Sequence, residues 1–182
     1  MGMLVHLDGA RLSNATAALG GTVAALRSFT VDAGVDVVSF GGTKAGLLGG
    51  EAVVYLDAAL AQRAKYVRKM VNQLPSKMRF VAAQFNALLD DDLWIKGAQH
   101  SNQMALQLYE ATRHIPGVEF DHAPQVNSLF PQLPADAIAA LCDWCFFWDW
   151  DISRRQVRWM TAWDTTADDV DRFAAGVCHL LG

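Results

Sequence analysis

Val35-Asp36-Val37-Val38-Ser39-Phe40-Gly41-Gly42-Thr43-Lys44-Ala45-Gly46 runs from a continuous apolar, β-branched segment into a glycine-rich loop that carries a lysine. A short run of this kind, bounded by glycines, reads as a buried strand over Val35 to Phe40. Upstream, Met3-Leu4-Val5-His6-Leu7 reads as another buried strand, ending at Asp8-Gly9-Ala10. Between them, Ala15 to Leu26 (ATAALGGTVAAL) reads as a small-residue helix interrupted at Gly20-Gly21. Downstream, Ala52 to Leu56 is a third strand. Strands alternating with helices predict a covered sheet of α/β type.

Farther along, Ala58 to Gln73 becomes helical and basic, and Pro75 breaks it before a second helical stretch. From Leu93 to His114 lies a long amphipathic helix, preceded by Asp90-Asp91-Asp92 and ended by Pro116-Gly117. Beyond it come strands over Val118 to Phe120, Val126 to Phe130 and Val157 to Ala162, with helices over Ala135 to Cys145 and Val170 to Leu181. Thr166 and Asp169 have the spacing of a capping box for the last helix. The predicted organisation is a partial large α/β domain over residues 1–92 and a small α+β domain over residues 93–182.

The 182 residues carry 15 Lys and Arg against 19 Asp and Glu, a net charge of −4, with 52% apolar residues. That balance excludes an electrostatic nucleic-acid binder and a disordered chain. No apolar run approaches the roughly 18 residues of a membrane span. Three cysteines and no export signal predict a reducing, cytoplasmic setting.

Asp8 and Lys44 each fall where a predicted strand ends and a loop begins, which is where open α/β sheets collect their ligands. A lysine amine beside a strand-end acid is what pyridoxal 5'-phosphate requires. The amine attaches the cofactor, and the acid keeps its pyridine nitrogen protonated so that the ring accepts electrons. Strand-end Asp and loop Lys are also common as solvated groups, so the pair by itself leaves both readings open.

The order of HLDGARLSNA, SFGGTKAG, SKMRFVAAQ, AQHSNQMA, QVNSLF and QVRWMTAWD resembles the low-specificity L-threonine aldolases across almost the whole chain. The resemblance implies the carboxyl-terminal part of a fold type I pyridoxal phosphate enzyme. It also implies retro-aldol cleavage of L-threonine, L-allo-threonine and related β-hydroxy-α-amino acids to glycine and an aldehyde. On the same basis Lys44 attaches the cofactor, Asp8 pairs with the pyridinium, and Ala10 lies against the ring. Thr43 and Arg79 approach the phosphate, Arg79 from a neighbouring subunit, and Arg11 and Arg158 hold the substrate carboxylate. A guanidinium suits that task because it meets a carboxylate bidentately. For Arg79 the alternative is a solvated basic helix, because Asn72 to Lys77 departs from the family pattern.

Such enzymes are about twice this length, so the resemblance also implies an absent amino-terminal half holding the phosphate-cradling loop and the group that stacks on the ring. The expected partners are an amino-acid substrate and either further copies of the chain or a complementing amino-terminal half. The alternatives are a β-eliminating lyase on the same scaffold and a non-catalytic truncated chain serving as an interaction module.

Other features receive structural readings. Cys142 and Cys145 have CxxC spacing on a helix without a second pair, which predicts core rather than metal or redox chemistry. Glu110 and His114 read as a surface pair, not a metal site. Five tryptophans between Trp144 and Trp163 are expected in the small-domain core, with a partner-facing role as the alternative.

Overall fold

The structure is a computed structural model that describes residues 2–182, without the side chain of Asn72. It divides into two compact units, Met1–Gly97 and Ala98–Gly182. No helix among the described residues is long and apolar enough to cross a membrane.

The first unit is built on a three-stranded sheet of β1 (His6–Gly9), β2 (Val37–Gly41) and β3 (Glu51–Tyr55), in that order. β1 and β2 are parallel, with His6 beside Val37 and Asp8 beside Ser39, and β3 returns antiparallel to β2. A parallel pair needs a crossover. Here it consists of α1 (Leu12–Ala18) and α2 (Val23–Ser28), separated by Gly20 and Gly21, both at positive φ. Glycine tolerates that conformation without the Cβ clash, which explains why the small-residue segment forms two short helices and not one. Thr22 starts the second by accepting the Ala25 N–H.

One face of the sheet is buried. Val38 is 3% exposed, and Phe40 packs against Phe85 and Trp94 at ring separations of 5.8 and 5.7 Å. Phe85 belongs to α5 (Met78–Leu89), which follows α3 (Ala58–Ala61) and α4 (Ala64–Asn72); Trp94 lies in the first turn of α6 (Leu93–Thr112). The opposite face carries His6 and Asp8, both exposed. The expected strand at the amino terminus is shorter than its apolar pattern suggested. Met3, Leu4 and Val5 are exposed and outside β1, because the ladder with β2 begins only at His6.

In the second unit, β4 (Ser128–Leu129), β6 (Gln156–Met160) and β5 (Trp148–Asp151) form an antiparallel sheet with β6 central. The inner residues Leu129, Val157 and Trp159 pack with α7 (Ala135–Trp144), α8 (Ala167–Leu181) and the later turns of α6 around Leu108, Leu141 and Val177. The capping box at the start of α8 is present: Thr166 Oγ1 accepts the Asp169 N–H at 3.2 Å, and Asp169 Oδ2 accepts the Thr166 N–H at 3.0 Å.

Several expectations are corrected in this unit. Val118 to Phe120 forms no strand, only a single bridge between Glu119 and Gln132, and β5 was not foreseen. Of the five clustered tryptophans only Trp159 is core, at 3% exposure, while Trp144, Trp148, Trp150 and Trp163 stand exposed. β5 is an edge strand, so its outward residues meet solvent whatever their hydrophobicity. Cys142 packs beside the core, whereas Cys145 is exposed at the end of α7. Glu110 pairs with Arg113 at 2.7 Å instead of His114.

Candidate active site

Parallel pairing brings the ends of β1 and β2 to the same edge of the sheet. Asp8 occupies the end of β1, beside Ser39 of β2, and the Asp8 Oδ1 accepts the Ala10 N–H at 3.0 Å. That bond turns the chain sharply after the strand and ties down one carboxylate oxygen. Lys44 sits one short step past β2, in a 3₁₀ turn over Thr43–Ala45 that Gly46 closes at φ 110°. Lys44 is exposed and forms no hydrogen bond or ion pair with any described residue. No side chain among the described residues therefore competes with a ligand for the Lys44 Nζ.

The loop holding Lys44 is fixed by its backbone. Gly42 donates to the Gly50 carbonyl at 3.1 Å, Leu47 donates to the Gly42 carbonyl at 3.1 Å, and Thr43 Oγ1 accepts the Gly50 N–H at 3.3 Å. The Thr43 hydroxyl proton remains available to an anion. From outside the loop, the Gln84 Oε1 accepts the Leu48 N–H at 3.0 Å.

Two glycines in the motif are required by close approach. A Cβ on Gly41 would lie 2.7 Å from the Ala10 Cα, and one on Gly9 would lie 2.6 Å from the Ser39 carbonyl oxygen. The segments leaving β1 and β2 are therefore in backbone contact, which keeps Asp8 and the Lys44 loop side by side. An oriented carboxylate, a free amine, a hydroxyl donor and a half-buried Ala10 form a donor set that fits a flat aldehyde cofactor with a basic ring nitrogen and a phosphate.

The remaining expected residues lie as follows. Arg11 is half-buried and follows directly on Ala10. Arg79 is exposed near the start of α5 with its guanidinium 5.3 Å from the Phe80 ring, and no hydrogen bond or ion pair among the described residues joins it to Asp8, Thr43 or Lys44. Arg158 lies in the second unit on β6, beside Trp148 of β5, with its guanidinium 5.4 Å from the Trp150 ring. Its Nε is buried without a partner.

Sequence reasoning assigned no role to His6 or Ser39. His6 Nε2 and Ser39 Oγ share a hydrogen bond of 2.8 Å across the two strands. The signal was available, since His6 lies two residues before Asp8 and period-two alternation puts both on one face.

Comparison with known proteins gives a consistent picture. The family model described as beta-eliminating lyase matches residues 1–134. The low specificity L-threonine aldolase of Pseudomonas aeruginosa is 40% identical over 184 residues, which cover 100% of this chain and 52% of that protein. The protein of the same name from a Pseudomonas species is 40% identical over 179 residues, covering 97% of this chain and 50% of its own. The chain thus spans about half the length of the curated relatives it matches. Among solved structures, a threonine aldolase from Leishmania major superposes with a TM-score of 0.83 at 28% identity, covering all of this chain and 53% of that one. Glycine decarboxylase (P-protein) shares the fold, with a TM-score of 0.65 at 16% identity over 98% of this chain.

Proposed function

Because the chain belongs to the beta-eliminating lyase family, we propose that it carries the cofactor-attachment half-site of a pyridoxal 5'-phosphate-dependent aldolase that cleaves L-threonine, L-allo-threonine and related β-hydroxy-α-amino acids to glycine and an aldehyde. Its architecture is the mixed α/β arrangement of fold type I pyridoxal phosphate enzymes, over about half their length. The observation that carries the reading is that Asp8 lies at the end of β1 and Lys44 in the turn that follows its parallel neighbour β2.

When bound, the cofactor supplies an electron sink for the pair released from the Cα–Cβ bond. Lys44 would provide the amine that holds the cofactor. Asp8, with Oδ1 tied to the Ala10 N–H, would hold a proton on a basic ring nitrogen. A carboxylate oriented before the cofactor arrives loses little freedom on binding it, so the charge pair acts from a fixed position. Ala10 would lie against the ring. The Thr43 hydroxyl would donate to the phosphate, with Arg79 of a neighbouring subunit as a further cationic group. Arg11 and Arg158 hold the substrate carboxylate, which fixes the orientation of the bond to be broken.

Oligomerisation, or association with a complementing amino-terminal half, belongs to this proposal, as does a cytoplasmic setting. The test is direct. The purified chain is titrated with pyridoxal phosphate, reduced with borohydride and mapped by peptide mass spectrometry. Label concentrated at Lys44, and lost in Lys44→Ala, supports the reading, whereas label scattered over surface lysines overturns it. The family model's own description favours a second reading, β-elimination on the same scaffold. Threonine and serine as competing substrates, offered to the chain together with the amino-terminal half of a relative, separate glycine release from ammonia release.

A further inference from the structure

The β5–β6 ladder is irregular between Asp149 and Asp151, opposite Val157 and Gln156. Trp148 pairs with Arg158 and Asp149 with Val157, but the next pair is Asp151 with Gln156, so Trp150 is an extra residue on β5. A bulge of this kind bends the strand and re-aims the side chain it carries. The Trp150 ring stands 5.4 Å from the Arg158 guanidinium carbon and 4.8 Å from the ring of Phe130, the residue that follows β4.

Arg158 is also an unusual cation for this surface. Its side chain has no hydrogen bond or ion pair with any described residue, and its Nε is shut away from solvent without an acceptor. Two carboxylates of the surrounding segments are committed elsewhere, while Asp149 is paired in register with Val157 and not with Arg158. Asp151 accepts the Ser153 hydroxyl at 2.6 Å and the Ser153 and Arg154 amides, and Asp121 pairs with Arg154 at 2.8 Å. The guanidinium is held by an aromatic face and not by an anion, which leaves its hydrogen-bonding edge vacant. An arginine stacked on an aromatic ring keeps its planar fork pre-organised for a carboxylate.

We propose that Trp150, on the irregular segment of β5, is a positioning residue that fixes the plane of the Arg158 guanidinium for a substrate carboxylate. The proposal rests on Arg158 as a carboxylate-binding residue. Trp150 acts through Arg158 and touches no reacting atom.

The test uses the full chain, ¹⁵N-labelled, with the Arg158 Nε–Hε resonance assigned by its loss in Arg158→Lys. Three readouts are compared in wild type, Trp150→Ala and Trp150→Phe: the chemical shift of that resonance, its heteronuclear Overhauser effect, and its response to added glycine. In Trp150→Ala the ring-current displacement disappears, the side chain gains motion, and the apparent glycine affinity at Arg158 falls about two- to fivefold, the range of an exposed cation–π contact. Trp150→Phe preserves the order and the affinity. Unchanged shift and order in Trp150→Ala would overturn the proposal, and so would lost order with unchanged affinity. If glycine moves no Arg158 resonance in wild type, the carboxylate reading of Arg158 fails and the proposed purpose of Trp150 fails with it, while the shift and order data still report whether Trp150 holds the guanidinium. Val157 and Trp159 resonances check that each variant keeps the sheet.

Discussion

Substituting Gly41 by alanine tests whether backbone contact holds Asp8 and the Lys44 loop together. The new Cβ would stand 2.7 Å from the Ala10 Cα and 3.0 Å from the Ala10 carbonyl oxygen. Carbon atoms pack at about 3.5–4.0 Å, so the two segments must separate by roughly 1 Å. Both obstacles are main-chain atoms that no rotamer change can move. Overpacking of this kind costs about 1–3 kcal/mol, and a rigid backbone obstacle belongs at the upper end, about 3 kcal/mol. Gly49, in the same loop, is the control, because a Cβ there meets nothing within 4 Å. Gly49→Ala is expected within about 0.5 kcal/mol of wild type. With an m-value of about 1–1.5 kcal/mol/M for a unit of this size, Gly41→Ala lowers the urea midpoint by about 2–3 M. Amide exchange at Val38 and Phe40 reads the first unit alone, which bulk tryptophan fluorescence cannot, since five of the six tryptophans lie beyond residue 97. Equal midpoints for the two variants, within about 0.5 kcal/mol, would refute the close-approach argument.

Three further outcomes are expected. Leu141→Ala, at a fully buried position of the second unit's core, costs about 2–5 kcal/mol in urea unfolding, whereas exposed Leu48→Ala costs little. The Asp169 carboxyl is pulled down from 3.8 to about 2 by hydrogen bonds from the Thr166 side chain and backbone and by Arg172. Its folded value is below its unfolded one, so its stabilisation of α8 is complete above the unfolded value and is lost as pH falls from about 4 toward 2. Helix α8 amide exchange followed through that window should show the loss, and Asp169→Asn should flatten it. Burial, with a smaller contribution from Cys142, pushes the Cys145 thiol up, so iodoacetamide at about pH 8 alkylates Cys145 more slowly than the cysteine of an unstructured, end-blocked peptide, and Cys142→Ser narrows the gap only in part.

The strands of the first unit were legible because each carries apolar alternation or a β-branched run with glycine at one end, both local signals, although the pattern extended the first strand over Met3, Leu4 and Val5, which lie outside β1. Asp8 and Lys44 were legible because position at a strand end follows from the same punctuation. The tryptophans of the second unit were not. Hydrophobicity places a residue in a core only if its strand is covered, and nothing local to Trp148-Asp149-Trp150-Asp151 tells an edge strand from an inner one. The bulge at Trp150 was equally hidden, since it is a property of how two strands register. The His6–Ser39 bond likewise depends on a pairing 33 residues apart in sequence.

The connection between β1 and β2 is what turns two separate motifs into one candidate site. Had the strands been joined by a hairpin, antiparallel pairing would have put the end of one beside the start of the other. With β2 five residues long and a rise of about 3.3 Å per residue, Asp8 and the Lys44 loop would then lie roughly 15 Å apart, beyond the span of one cofactor ring. The crossover through α1 and α2 reverses the chain before β2 begins, so both strands deliver their carboxyl ends to the same edge. Gly20 and Gly21 supply the positive φ that divides α1 from α2 and lets so short a segment return. The small residues of Ala15 to Leu26, which touch no candidate ligand, therefore bear on the chemistry as directly as the lysine does: they set the direction in which the lysine's strand runs.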